Sequence, residues 1–154
     1  MSSRRARGFS IALSSFVLVL DQLSKVTIQR LFQPGESNPI FTGIFHLTYV
    51  QNTGAAFGLL KGQQWVFLVF AALIILWMGL SLHRSSSRGE LDWSAALIFS
   101  GAIGNLIDRA RFGYVIDFLD FRIWPVFNIA DSALTIGVAV LLWRSFRTRD
   151  EAST

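Results

Sequence analysis

Four apolar stretches, residues 9–30, 65–82, 93–107 and 129–143, restrict this chain more than any other feature of its sequence. Hydrocarbon offers no water to backbone N–H and C=O groups, so stretches of this kind cross a bilayer as helices that satisfy their own bonds. The first two approach the roughly 20 residues that a crossing helix needs, and the last two are a little short. Of 154 residues, 52% are hydrophobic and only 16% charged, with a mean hydropathy of +0.47; the chain uses lipid as its solvent. We expect an all-α membrane protein of four transmembrane helices, folded as one domain over residues 1–154.

The charges at the ends of these stretches orient them. Arg4, Arg5 and Arg7 precede the first, Arg84 and Arg88 separate the second from the third, and Arg144, Arg147 and Arg149 follow the fourth. By the positive-inside rule both termini and the middle loop are cytoplasmic. Trp65, Trp93, Trp124 and Trp143 fall at or near span ends, where an indole sits well among headgroups, although each serves equally well as a core residue. The first span resembles a secretory signal in its basic start, but it continues through Asp21 and Lys25 without a small-residue cleavage site, so we expect it to be retained.

Two connections then lie on the outer side. Residues 31–64 are rich in Gly, Pro, Asn, Thr and aromatics, and the run Phe41-Thr-Gly-Ile-Phe-His-Leu-Thr-Tyr-Val-Gln predicts short strands in a small sheet resting on the membrane surface. Residues 109–128 form the second connection, which carries Asp117, Asp120 and Arg122.

The absence of cysteine excludes thiolate nucleophiles and disulfides, and His46 and His83 alone make a poor metal set. Catalysis must come from carboxylates, hydroxyls or lysine, and no metal or other cofactor is expected. A net charge of +4 could serve nucleic acid, but the arginines mark span ends and form no basic stripe.

Among the polar groups, Asp21 and Lys25 stand four apart, share a helix face and can pair inside the membrane. An orienting ion pair is the plainer reading; a Ser-Lys hydrolase using Ser24 or a distant serine is the rival, and no serine here has a nucleophile-elbow setting. The stretch from Asn52 to Gly58 combines an amide with small residues and suits either a ligand or a plain turn. Gly101 and Gly104 allow helices to approach closely, and Asn105 and Asp108, three apart, face the same way. Arg109 can pair with Asp108 or grip a carbonyl or phosphate, and Asp108 serves equally as a cap.

Position singles out Asp117 and Asp131 as the seat of chemistry, at the edge of membrane-grade sequence, where an ionised carboxylate is expensive. Two carboxylates in a low-dielectric site do not both ionise easily, so one keeps a proton while the other draws a proton from water. Two independent helix or turn caps are an equally good reading of these residues.

Asp21-Gln-Leu-Ser-Lys25, Asn52-Thr-Gly-Ala-Ala-Phe57, Gly104-Asn-Leu-Ile-Asp-Arg109, Val115-Ile-Asp-Phe118 and Phe127-Asn-Ile-Ala-Asp-Ser132, in this order, resemble the motifs of the lipoprotein signal peptidase family, the type II signal peptidases. The resemblance implies a four-helix aspartyl endopeptidase of the bacterial inner membrane with a small extracytoplasmic β-cradle, and we expect it to be a monomer. It implies that Asp117 and Asp131 are catalytic, that Asn52, Gly54, Asn105, Arg109, Asn128 and Ala130 shape the substrate site, and that Asp21 and Lys25 support it. The implied substrates are prolipoproteins with a diacylglyceryl-cysteine, cleaved before that cysteine beside membrane lipids, with no metal and no covalent intermediate. A proton-coupled transporter and a non-catalytic assembly protein are the rivals; clustering of Asp108, Asp117 and Asp131 toward one face disfavours the first.

Overall fold

The computed structural model describes residues 3–54 and 93–151, together with Val69, Ala72, Leu73 and Leu76. Helix α1 (Ser3–Leu31) is followed by strands β1 (Ser37–Phe41) and β2 (Phe45–Asn52), helix α2 (Trp93–Phe112), strand β3 (Val115–Asp120) and helix α3 (Ile129–Glu151). The first, third and fourth predicted spans fall within α1, α2 and α3. In the second, the four described residues are helical, and the rest of that span lies outside the described residues.

The helices are built inside out. On α1, Phe9, Phe16 and Leu23 are exposed, whereas Ser10, Asp21 and Lys25 are buried. Spacings of 11 and 4 residues put those three on one face of the helix, turned toward α2 and α3. Two helical stretches, Gly8–Leu31 and Ile129–Arg147, are long and apolar enough to cross a membrane, and only 17% of each apolar window is buried. A helix apolar toward its surroundings and charged toward its neighbours suits lipid and not water.

Helix α2 lies between α1 and α3, and small residues let it do so. A Cβ on Gly104 would stand 2.6 Å from Asp21 Oδ2 and 3.2 Å from Ala130 Cβ, and one on Gly101 would run into the Ala130 carbonyl. Without side chains at these positions, α1 and α3 both close onto α2.

The sheet has order β1-β2-β3 and is antiparallel throughout. The first two strands meet expectation: a turn closed by the Ile44 N–H to the Phe41 carbonyl at 3.0 Å places Gly43 at φ 76°, a conformation that costs glycine little. The third strand enlarges the small sheet expected from residues 31–64. It arises within the second connection, and α2 runs five residues beyond the predicted end at 107, to Phe112. β3 is buried along nearly its whole length, so it lacks the polar alternation that marks a half-exposed strand.

Ile116 and Phe118 on β3 join Ile28 and Tyr49 in a buried cluster, with Phe32, Phe112 and Ile129 packed against it. The sheet is thereby seated on the C-terminal ends of α1 and α2 and the N-terminal end of α3, each buried large side chain contributing about 1.5–3 kcal/mol. Beyond β3 the chain turns at Arg122, whose φ of 66° is held by bonds from its N–H and guanidinium to Asp120 at 2.8 and 3.0 Å. It then returns along β3, where Phe127 and Leu119 exchange backbone bonds of 2.8 and 3.1 Å. That return sets Asn128 and the start of α3 beside Asp117.

Candidate active site

Asp117 is carried on β3 and is 1% exposed. The pleat turns its side chain away from Ile116 and Phe118, toward the start of α3. Its Oδ2 accepts from Asn52 Nδ2 at 2.7 Å and its Oδ1 from Asn128 Nδ2 at 2.8 Å. Asp131 is the third residue of α3, and its Oδ1 accepts from Asn105 Nδ2 at 2.7 Å.

Asn128 joins the two. Its side-chain oxygen accepts the Asp131 N–H at 2.8 Å, while Asp131 Oδ2 accepts the Asn128 N–H at 3.3 Å, a reciprocal cap at the head of α3. The cap reading of Asp131 is thus realised at the start of α3. The Asn128 amide meanwhile reaches Asp117, Asn105 Oδ1 at 3.1 Å and the Ile116 carbonyl at 3.3 Å, with no exposed surface.

Burial pushes the Asp117 carboxyl up to about 7, and the negative charge of Asp131 adds to the effect against the opposing donors Asn52 and Asn128 and the charge of Lys25. A carboxyl poised there holds or releases a proton at neutral pH, and beside a second carboxylate the two titrate as a pair. Asp120 is different in kind. Burial raises its proton affinity, but bonds from Thr48 and Arg122 outweigh that and hold its carboxyl below the usual range. It fixes the turn after β3.

Beneath the pair lies a buried ionic group. Lys25 Nζ bonds Asp21 Oδ2 at 2.9 Å, Asp108 Oδ2 at 2.8 Å and Asn105 Oδ1 at 3.1 Å, using the three donors an ammonium has. Asp21 is thus paired as its spacing suggested, and Asp108 joins it from α2. Gln22, which the sequence did not single out, donates from Nε2 to Asp21 at 3.1 Å and Asp108 at 3.3 Å. Nothing in the sequence separates Gln22 from an ordinary helix residue, because Gly104 and Asp108, its partners beyond Asp21, lie on another helix.

Arg109 Nη2 lies 3.5 Å from the Gly54 carbonyl, and Gly54 donates its N–H to Asn52 Oδ1 at 2.9 Å. The described end of the Asn52 motif is so held between Arg109 and Asp117; residues 55–58 lie outside the described residues. Ala130, with no exposed surface, supplies a backbone N–H to Asp21 Oδ1 at 2.9 Å. Every residue named from the sequence as part of the site thus enters one connected network of bonds. Among the described residues no His, Cys, Asp and Glu side chains are grouped as a metal-binding set.

Known proteins resemble this chain in sequence and in fold. A family profile described as Signal peptidase (SPase) II matches residues 13–147. A lipoprotein signal peptidase of Moorella thermoacetica is 53% identical over 137 residues, 87% of this chain and 90% of that protein. One from Halothermothrix orenii is 47% identical over 137 residues, covering 87% of this chain and 94% of its own. A solved structure described as a bacterial membrane enzyme superposes with a TM-score of 0.86 at 33% identity, covering 94% of this chain and 91% of the other. By sequence over most of its length and by fold, the chain belongs to the signal peptidase II family of membrane enzymes.

Proposed function

We propose that Asp117 and Asp131 are the catalytic pair of this aspartic endopeptidase, activating water to cut prolipoproteins before the diacylglyceryl-cysteine. The observation that carries the reading is Asn128, whose one side chain bonds the Asp117 carboxylate and the Asp131 amide while Asp117 is pushed to about 7. In the resting pair one carboxyl keeps a proton and the other is ionised. The ionised carboxylate takes a proton from water as the oxygen attacks the scissile carbonyl, and the protonated one donates to the developing oxyanion. Collapse of the tetrahedral intermediate breaks the C–N bond, and a proton passes to the departing cysteine amine. Asn52, Asn105 and Asn128 hold both carboxylates in place throughout, so little reorganisation accompanies the charge movement.

The same reading holds that the chain crosses the bacterial inner membrane four times with both termini cytoplasmic. The sheet and the pair then lie at the outer face, where the acyl chains stay in lipid while the scissile bond meets water. One chain supplies both carboxylates and their supports, so a monomer suffices.

The test is purified full-length protein in detergent with a diacylglyceryl-modified prolipoprotein, comparing wild type with Asp117→Asn and Asp131→Asn. Each substitution is expected to abolish cleavage without unfolding the protein; undiminished cleavage by either one sinks the assignment. A reporter fused after Thr154 is expected to be active only in the cytoplasm.

A further inference from the structure

The buried ionic group has a symmetry that the catalytic reading leaves unused. Asp108 Oδ2 accepts the N–H of Ile116 at 3.1 Å, and Ile116 immediately precedes Asp117. Asp21 Oδ1 accepts the N–H of Ala130 at 2.9 Å, and Ala130 immediately precedes Asp131. Lys25 bridges the same two carboxylates at 2.9 and 2.8 Å. We infer that Asp21 and Asp108, clamped together by Lys25, are positioning residues that set the separation of the two catalytic carboxylates by holding the backbone one residue before each.

The chemistry of the group supports this use. Asp21 is 0% exposed, Asp108 1% and Lys25 1%, and the bonds to both carboxylates come from donors: an ammonium, backbone N–H groups and the Gln22 amide. Scaffolding alone does not require these addresses. The Ala130 N–H is an open donor in the first turn of α3, which Asp21 on α1 fills from another helix. The Ile116 N–H lies on β3, the edge strand of the sheet, and Asp108 on α2 accepts it. Three helices and one strand are thereby locked at the two peptide groups from which the catalytic side chains spring. A rigid support of this kind is what holds a pair within the fraction of an ångström that water activation needs.

The inference rests on the Asp117–Asp131 pair and is tested with that pair as a control. Full-length Asp21→Ala, Asp108→Ala, Asp21→Asn and Asp108→Asn proteins are assayed in detergent on the lipidated prolipoprotein, with kcat expressed per folded molecule. An alanine removes the acceptor; an asparagine keeps a carbonyl oxygen for the backbone N–H, and Gln22 can turn its own amide to match. Loss of registration is expected to lower kcat about 100-fold in both alanine proteins while KM stays within about threefold. The asparagine proteins are expected to retain kcat within about tenfold. Alanine proteins that keep wild-type kcat per folded molecule overturn the inference. If the alanine proteins do not fold, folded asparagine proteins impaired about 100-fold in kcat overturn it, and retention within tenfold upholds it. Cleavage that survives Asp117→Asn or Asp131→Asn counts against the catalytic pair itself, so the two failures are told apart.

Discussion

Asn128→Ala perturbs both halves of the site through one residue. The wild-type side chain donates to Asp117 at 2.8 Å, accepts from the Asp131 N–H at 2.8 Å and has no exposed surface. Its loss removes a helix cap, about 1 kcal/mol, and a bond to a buried carboxylate, about 1.5–3 kcal/mol. The two are coupled through one network, so about 2–4 kcal/mol in total is expected. The donor favours the ionised form of Asp117, so its removal moves that carboxyl further above about 7. One pH unit corresponds to about 1.4 kcal/mol, and the alkaline limb of the pH–rate profile is expected to move up by about one to two units. Denaturant unfolding in detergent micelles measures the first quantity and cleavage between pH 5 and 10 the second. A folded variant with wild-type stability and an unmoved alkaline limb refutes the argument that Asn128 bonds the working carboxylate.

Further outcomes follow from the same geometry. A carboxyl raised from 3.8 to about 7 stabilises the folded protein fully below its unfolded value and loses that contribution as pH rises through 7. Wild type is therefore expected to lose stability between pH 4 and 7 in unfolding titrations, and Asp117→Asn is expected to lack that decline. Gly104→Ala drives a methyl to 2.6 Å from Asp21 Oδ2 and is expected to cost about 1–3 kcal/mol together with activity. Gly8→Ala, with nothing within 4 Å, is expected to be neutral or slightly stabilising in the same unfolding assay. Lys25→Met removes the ammonium that both buried carboxylates share and is expected to cost about 3–5 kcal/mol in the same unfolding assay; unchanged stability argues against a structural role for the ion pairs.

The helices were legible because an apolar run of this length has few other uses, and the hairpin of β1 and β2 because its turn chemistry and aromatic alternation are local. Strand β3 was not legible. Val115–Asp120 is covered on both faces, so burial erased the alternation, and its pairing partner lies more than sixty residues away on β2. The ends of α2 and α3 ran past the predicted limits because charged residues at 108–111 and 144–147 end an apolar run without ending a helix. Asp21, Lys25, Asn105 and Asp108 could be grouped by three- and four-residue spacing within helices. The bond of Gln22 to Asp108 and that of the Ile116 N–H could not, since they cross between elements.

The sequence by itself determined that this chain belongs in lipid, that Asp21 and Lys25 share a helix face, and that five short motifs carry the polar chemistry. Those conclusions depend on composition and on spacing along single helices. Only the tertiary structure decided what each polar group is for. Asn128 proves to be cap and bridge at once, Asp108 a partner of Lys25 and of the strand that bears Asp117, and Asp120 the anchor of a turn. A buried charge is stable only against the donors that surround it, and those donors come from helices and strands far apart in the chain.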